Sequence, residues 1–504
     1  MKPLGTITMC FPHVDDETRD ILQSVMDEAE SFADFTERLC NLVLSKPTPM
    51  LTQYLAYFFP FHISDYNLTD RLVAAGKAPD LVEPLILICK YRRGEVVEWD
   101  EMIQSLSKAF NAAPNDWIAT HLYMEWRFYA ELNFPESDTD VGLVQRIAKR
   151  IDEDNEFKFF KSYLLRFEAI KLMFNLNNRE QIEHMERALI IAEEFDEQVA
   201  VADLLCALAG IIKFTDEKRG LDLFKASTKL SECLGYRYKM GKNRAGVGFL
   251  MGQRGELDST MEYNLDYLEI RKSLGLSDIT LNGLIAFFYN DMGDGENALK
   301  HAEAALRASK RLRRLTPFKL AMKAWALINL GKYDEARANL DASQELATKS
   351  GSVWYWFMWN QLVEGLLYKA EGRFDIAITT LTDVLQFPGE DPIPHFEAIC
   401  LLHLTHIEIE RESLASAADS SGPWMQKFEE FVETRDAPGF AARLLILKAK
   451  LKQKQGQFDE AKEILKEVEK IAESPSMRYL NNTMAATFPD TIHRHQKQDS
   501  TFSS

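Results

Sequence analysis

Three side chains able to ligate a metal ion lie on neighbouring turns of one predicted helix. His403 and His406 are three residues apart, and Glu410 follows one turn later. Imidazole and carboxylate groups at this spacing can bind a transition metal. No dedicated ligand motif surrounds them, so an ordinary helix face carrying two histidines is the favoured interpretation. We therefore predict neither a metal nor another cofactor.

The sequence carries no motif that is typical of a catalytic centre. A GxxxxGK phosphate loop, an HExxH helix and a GxSxG turn are all absent from it. The stretch Gly293-Asp294-Gly295 resembles part of a dinucleotide fingerprint, but no strand is predicted before it. We predict that the chain is not an enzyme, and an enzyme built on a helical array is the third alternative.

A group of basic residues marks one predicted helix near the C-terminus of an otherwise acidic chain. Arg443, Lys450 and Lys454 lie at spacings that place them near one face of that helix. Such a face is able to hold a carboxylate or an acidic segment of another molecule. A solvated helix face is the alternative interpretation.

Composition limits the class of protein. The 504 residues are 46% hydrophobic and 27% charged, which is typical of a folded chain. A net charge of −18 disfavours general nucleic-acid binding, because polyanions repel each other. The six cysteines have no CxxC spacing, and the sequence predicts neither a signal peptide nor an apolar run long enough to span a membrane. These features favour a cytoplasmic location without membrane contact.

Turn signals divide most of the chain into steps of nearly constant length. The signals begin at Gly94 and end at Gly456, which are 362 residues apart over nine steps of about 40 residues. Between the signals the chain reads as helix after helix, with apolar residues at spacings of three and four. A helical pattern with one fixed period predicts an all-α solenoid.

The clearest unit lies between Gly365 and Leu381. Gly372 provides the turn, and Ala377 allows the second helix to approach the first closely. The same frame recurs at residues 331–336 and 456–461. We expect the aromatic residue two positions after each turn glycine to wedge between the helices, and these residues are Tyr333, Phe374 and Phe458.

This frame resembles the tetratricopeptide repeat. The residues that match best are Gly365, Tyr368, Gly372, Phe374, Ala377 and Leu381. The resemblance is specific from about residue 237 to residue 474, although units of about 40 residues are longer than the family's usual repeat. It implies a right-handed superhelix of about ten helical hairpins that binds peptides or protein surfaces in its concave groove.

The sequence suggests four segments. We expect an irregular helical cap at residues 1–47 and degenerate helical hairpins at 48–155. The superhelix proper would occupy residues 156–475, and 476–504 would be a disordered tail that could also fold back into the groove.

Family geometry also implies which side chains face the groove. They form an apolar and aromatic column that ends in basic residues, namely Phe249, Phe287, Trp325, Asn329, Trp359, Leu366, Lys369, Arg443, Lys450 and Lys454. Aromatic anchors concentrate binding energy, so the column would bind a peptide with apolar side chains. The alternative is that the rings are simply buried inside the superhelix.

These observations favour a protein-binding adaptor whose ligand is a protein or a peptide of unknown identity. A regulatory module that senses a ligand and acts on a partner protein is the alternative. Self-association is also compatible with the sequence.

Overall fold

The structure is a computed structural model. It describes residues 16–30, 32–45, 82–93, 97–112, 160–173, 178–195, 198–213, 215–276, 279–307, 316–349, 353–386, 394–411 and 422–488, together with a few isolated positions. The turn expected near Leu414 lies outside these residues. Within the described ranges the secondary structure is helical and contains no strand.

Ten of the described helices precede residue 274. They are α1 (Asp16–Glu28), α2 (Phe32–Ser45), α3 (Val82–Arg93), α4 (Trp99–Ala112), α5 (Lys161–Met173), α6 (Asn178–Glu194), α7 (Gln198–Ile212), α8 (Glu217–Cys233), α9 (Arg237–Gln253) and α10 (Leu257–Ser273).

Eleven further described helices follow from residue 279 onwards. They are α11 (Ile279–Asp291), α12 (Gly295–Arg307), α13 (Thr316–Asn329), α14 (Tyr333–Lys349), α15 (Val353–Ala370), α16 (Phe374–Leu385), α17 (Pro394–Arg411), α18 (Pro423–Thr434), α19 (Pro438–Lys454), α20 (Phe458–Ala472) and α21 (Tyr479–Thr487). None of the described helices is both long and apolar enough to cross a membrane.

Most of the described helices pack against a neighbour along the chain, so the predicted all-α solenoid of helical hairpins is confirmed. The right-handed twist stays a prediction. The chain forms two compact units. Unit 1 comprises residues 1–246, 266–278 and 308–314, and unit 2 comprises residues 247–265, 279–307 and 315–504. The four-segment division also stays a prediction.

Gly372 shows why the turns require glycine. Its φ of +73° lies in the left-handed region, where a side chain would strain the backbone. The following N–H, that of Arg373, donates to the carbonyl of Tyr368 at 2.9 Å and so ends helix α15. The turn glycines predicted at positions 255, 293, 331 and 456 have positive φ as well.

The small residues of the repeat frame lie where two helices touch. A Cβ added to Gly365 would come within 2.7 Å of the Leu381 side chain, and Ala377 is fully buried. We predicted that the aromatic residues after the turns wedge between the helices. This prediction is wrong for Tyr333 and Phe458, which are 38% and 64% exposed. Phe374 is half-buried. These rings sit at the first position of their helices, beside the turn, where their neighbours leave one side open to solvent.

Unit 1 has its own apolar core on helices α5 to α8, which includes Leu165, Met185 and Leu204. A buried ionic contact accompanies this core. Lys239 Nζ lies 2.5 Å from Asp203 Oδ1, and the Arg166 guanidinium lies 3.4 Å from the other carboxylate oxygen. Burial opposes ionisation of Asp203, but Lys239 and Arg166 hold its pKa down at about 2.

The chain after residue 475 departs from expectation. A short 3₁₀ turn, Pro475–Met477, leads into helix α21. Tyr479 and Leu480 at the start of that helix are buried. The prediction of a disordered tail from residue 476 is therefore wrong for Tyr479–Thr487, because apolar side chains there find a surface of unit 2 to cover. Residues 489–504 lie outside the described part of the chain.

Candidate functional site

The first helices of successive hairpins in unit 2 meet in a layer of aromatic rings, which we call the aromatic layer. Phe287 of α11 lies at its centre. Its ring centroid is 5.8 Å from that of Trp325, 5.2 Å from that of Trp359 and 6.5 Å from that of Phe396. Most of these contacts are edge-to-face, which is the favoured arrangement for aromatic pairs. Helices α11, α13, α15 and α17 therefore share one packed interior.

A buried ionic cluster borders the aromatic layer. His395 Nε2 lies 2.9 Å from Asp291 Oδ2, and Arg443 approaches the other carboxylate oxygen at 2.8 Å. All three side chains are at least nine-tenths buried. Burial raises the cost of ionising Asp291, but the adjacent Arg443 and the hydrogen bond with His395 lower its pKa below the ordinary value. Helices α11, α17 and α19 are thereby joined.

Unit 2 also closes on itself through its turns. The N–H of Gly439, at the start of α19, donates to the carbonyl of Arg254 at 2.9 Å. The Arg254 guanidinium also lies 2.9 Å from Asp436. The hydroxyl of Tyr479 donates to the carbonyl of Gly255 at 3.0 Å. The turn between α9 and α10 is therefore bound to α19 and α21, at the opposite end of the unit's sequence.

The structure places the predicted apolar groove residues in this interior. Phe287, Trp325 and Leu366 are buried, with exposures of 1%, 3% and 4%. Phe249 and Trp359 are half-buried. Phe287, Trp325 and Leu366 therefore fit the alternative interpretation, in which these side chains are buried inside the array. A role in partner binding for this column stays a prediction.

The predicted polar groove residues have different surroundings. Arg443 is buried and paired with Asp291, as described above. Asn329 is exposed, and its side-chain amide donates to the carbonyl of Asn290 at 3.0 Å. The remaining three predicted residues come together with residues of α17. We call this group the lysine cluster, and its members are Lys369, His403, His406, Glu410, Lys450 and Lys454.

Each lysine of the cluster has a distinct partner. Lys369 Nζ donates to His403 Nδ1 at 2.9 Å, which is its contact with α17. Lys450 Nζ is paired with Glu410 and also lies 3.0 Å from His406 Nε2. Lys454 Nζ donates at 2.6 Å to the carbonyl of Ile409 and at 3.1 Å to that of Glu410, so it satisfies the C-terminal end of α17.

The electrostatics of the lysine cluster follow from burial and from crowded cations. Burial, with Lys450 nearby, lowers the pKa of Lys369 to about 7. Burial and the neighbouring Lys369 also lower the pKa of His406 to about 2 and that of His403 well below its usual value. Both imidazoles are therefore neutral acceptors for the lysines. The hydrogen bond from Lys450 lowers the pKa of Glu410.

The cluster is short of negative charge. Three amine side chains surround one carboxylate, that of Glu410, which is paired with Lys450. Lys369 has an imidazole as its described polar partner and is half-buried, so part of it stays accessible. A group that brings a second negative charge to Lys369 would relieve the repulsion among these cations. The arrangement is thus suited to a carboxylate or a similar anion.

Sequence reasoning identified part of this arrangement. Lys369, Lys450 and Lys454 came from the repeat frame, whereas His403, His406 and Glu410 were noticed only as a weak metal pattern. In the structure one nitrogen of each imidazole accepts from a lysine. Asp291 was missed altogether, because nothing in the chain marks its pairing with a residue 152 positions away.

Comparison with protein families agrees with the repeat frame. Residues 320–350 and 442–475 match the tetratricopeptide repeat. The first stretch covers most of α13 and all of α14, and the second covers most of α19 and all of α20. No curated protein matches the chain significantly. Two stretches of the chain therefore match the tetratricopeptide repeat, and both lie on helical hairpins of the described structure.

Proposed function

We propose that this chain is a non-enzymatic protein-binding scaffold, in which the lysine cluster holds an acidic segment of the partner. Tetratricopeptide repeats generally mediate protein–protein interactions, which supports the scaffold role. The proposal that the partner's segment is acidic rests on the half-buried Lys369 amine. This amine contacts His403, lies near Lys450 and has no carboxylate of its own among the described contacts.

The packed interior limits how a partner engages. Phe287 and Trp325 are covered by neighbouring rings, which favours a partner contact at the lysine cluster over one at these two rings. The lysine cluster, by contrast, is built from half-buried and exposed side chains on α15, α17 and α19. The partner contributes a short acidic element at this place, and the rest of its surface contacts exposed parts of the hairpins.

The partner is a protein or peptide rather than a nucleic acid or a membrane. The net charge of −18 disfavours both anionic polymers and anionic lipid surfaces. The location we propose is the cytoplasm. Its support is that Cys40, Cys89, Cys206 and Cys400 are buried free thiols.

Affinity capture followed by mass spectrometry tests this proposal. The bait is the full chain, either unchanged or with Lys369→Gln and Lys450→Gln. The control bait carries Lys349→Gln and Lys466→Gln, which remove the same charge from side chains that are 68% and 56% exposed. Partners that are lost from the cluster bait alone support the proposal. If both variants, each folded by circular dichroism, capture the partners of the unchanged chain, the lysine cluster is not the binding site.

A further inference from the structure

A cavity in unit 2 is lined by residues that do not belong to the lysine cluster. It has a volume of about 410 Å³ and opens between α16, α17 and α18, and we call it the α16–α18 cleft. This volume lies within the range of small-molecule sites, roughly 300 to 1,000 Å³. Its walls combine apolar side chains with charges of both signs, and the residues that carry the argument are Leu401, Trp424, Phe431, Glu397, Lys427 and Arg435.

The apolar wall is made of two aromatic rings and leucine side chains. Trp424 and Phe431 come from α18, and Leu401 lies opposite them on α17. Phe431 and Leu401 belong to the buried core of this part of the unit, and Trp424 packs against that core. The wall is therefore held rigidly and suits a compact apolar group of a ligand.

Charges of both signs line the same cleft. Lys427 Nζ lies 4.6 Å from the centre of the Trp424 ring, and no ion pair joins it to a described carboxylate. Arg435 lies over Phe431 at 5.3 Å, and its guanidinium is 3.5 Å from Glu397. Glu430 adds a second carboxylate to the lining. Two cations and two carboxylates thus share one small space.

Two polar atoms of the cleft lack hydrogen bonds. The hydroxyl of Thr382 and the Oε2 atom of Glu397 are both buried from solvent, and neither has a hydrogen-bond partner within the described part of the chain. Buried polar groups in proteins are nearly always satisfied, so the Thr382 hydroxyl indicates a partner that a ligand can supply. Glu397 Oε2 lies 3.5 Å from the Arg435 guanidinium, which leaves this carboxylate able to accept hydrogen bonds from a ligand. Burial raises the pKa of Glu397, and the nearby Arg435 offsets this effect only in part.

We propose that the α16–α18 cleft binds a small zwitterion with an apolar body, such as a free amino acid with a branched or aromatic side chain. The ammonium group binds Glu397, the carboxylate binds Lys427, which lies beside the Trp424 ring, and the ligand's side chain packs on Trp424. A ligand with one charge only meets a like charge in the cleft, whereas a zwitterion satisfies both. This site is independent of the scaffold proposal and would make the chain responsive to a metabolite.

Isothermal titration calorimetry on the full chain tests this site. The probes are L-leucine, L-phenylalanine and L-tryptophan, together with phenethylamine and 3-phenylpropionate, which each retain one charge of phenylalanine. The expected result is saturable binding of at least one amino acid at a single site. Each one-charge analogue of phenylalanine should bind at least about tenfold more weakly than phenylalanine does.

Two variants test whether the amino acid binds in the α16–α18 cleft. Glu397→Gln keeps the side-chain shape and removes the charge that binds the ammonium group. Lys427→Gln removes the carboxylate's partner at an exposed position. Each should weaken binding at least about tenfold. The matched controls Glu467→Gln and Lys462→Gln, on exposed positions of α20, should bind as the unchanged chain does. No saturable binding up to about 10 mM, or equal binding by cleft variants and controls, would overturn the proposal.

Discussion

His395 Nε2 lies 2.9 Å from Asp291 Oδ2, although the two residues are 104 positions apart in the chain. Both side chains are almost fully buried, with exposures of 1% and 0%. Arg443, which is still further along, binds the same carboxylate. Three hairpins of unit 2 are thereby held by one ionic contact in addition to their neighbour-by-neighbour packing. In this respect the unit departs from a simple linear array, whose repeats touch only adjacent repeats.

Replacement of Asp291 should therefore be costly. Asp291→Ala leaves the buried Arg443 guanidinium without its carboxylate, and breaking a buried pair in this way costs about 3–5 kcal/mol. Chemical denaturation monitored by circular dichroism measures the loss. Asp375→Ala is the control, because its carboxylate is 86% exposed in a surface pair with Arg411 and should change stability by less than about 1 kcal/mol. Equal losses in the two variants would contradict the structural role of Asp291.

The same contact predicts a pH dependence of stability. The pKa of Asp291 is lower in the folded chain than in the unfolded chain, since Arg443 and His395 more than offset the effect of burial. Its stabilising contribution is thus fully present above the unfolded-state pKa, near 3.9, and is lost as pH falls through the lower folded-state value. Denaturation midpoints of the unchanged chain should fall more steeply on acidification than those of Asp291→Asn. Parallel curves would count against this linkage.

The aromatic layer makes a second prediction about stability. Phe287→Ala removes a fully buried ring with several aromatic neighbours and should cost about 3–5 kcal/mol. Phe458→Ala removes a ring of the same size that is 64% exposed and should cost less than about 1 kcal/mol. Thermal denaturation of both variants provides the comparison. A mild effect at Phe287 would show that the rings line an open groove instead of a packed interior.

Two glycines of one hairpin should respond differently to substitution. Gly372 has a φ of +73° and open space around it, so Gly372→Asn should be better tolerated than Gly372→Ala, which costs about 1–2 kcal/mol. Gly365 is limited by space, because its Cβ would lie 2.7 Å from Leu381. Gly365→Asn should therefore be worse than Gly365→Ala. Denaturation of the four variants measures whether Ala or Asn is the more destabilising residue at each position. If the same residue were the more destabilising at both positions, the two glycines would not differ in the way proposed.

The repeat frame explains why much of the fold was predictable. Gly372 and Ala377 are required by local turn geometry and by close packing of adjacent helices, and both requirements appear at a fixed spacing in the chain. The exposure of Phe458 was not predictable in this way. It depends on what the surrounding helices leave uncovered, and the frame carries no information about that.

In the candidate site, too, the positions of some residues were predictable from the repeat frame and their contacts were not. Lys369, Lys450 and Lys454 were predicted because each first helix presents equivalent positions to a common side. Their pairing with His403 and His406, and the closing contact between Gly439 and Arg254, depend on how far the array curves within unit 2. Curvature accumulates from small rotations between hairpins, so no single residue encodes it.

Binding at the lysine cluster should depend on pH. The pKa of Lys369 is lowered to about 7 by burial and by Lys450, so this amine loses its proton as pH rises through that value. A bound carboxylate favours the protonated amine, and binding therefore takes up a proton. The affinity for hexaglutamate should fall between pH 6 and 8.5. In Lys369→Gln this pH dependence should disappear, and its persistence there would assign it to another group.

The most direct test of the central claim is the fluorescence anisotropy of labelled hexaglutamate titrated with the full chain at about pH 6.5, where Lys369 is largely protonated. The unchanged chain and the control variant with Lys349→Gln and Lys466→Gln should bind with the same affinity. The variant with Lys369→Gln and Lys450→Gln should bind at least about tenfold more weakly. Equal affinities for all three proteins, or no binding by the unchanged chain, would contradict an acidic-segment site at the lysine cluster.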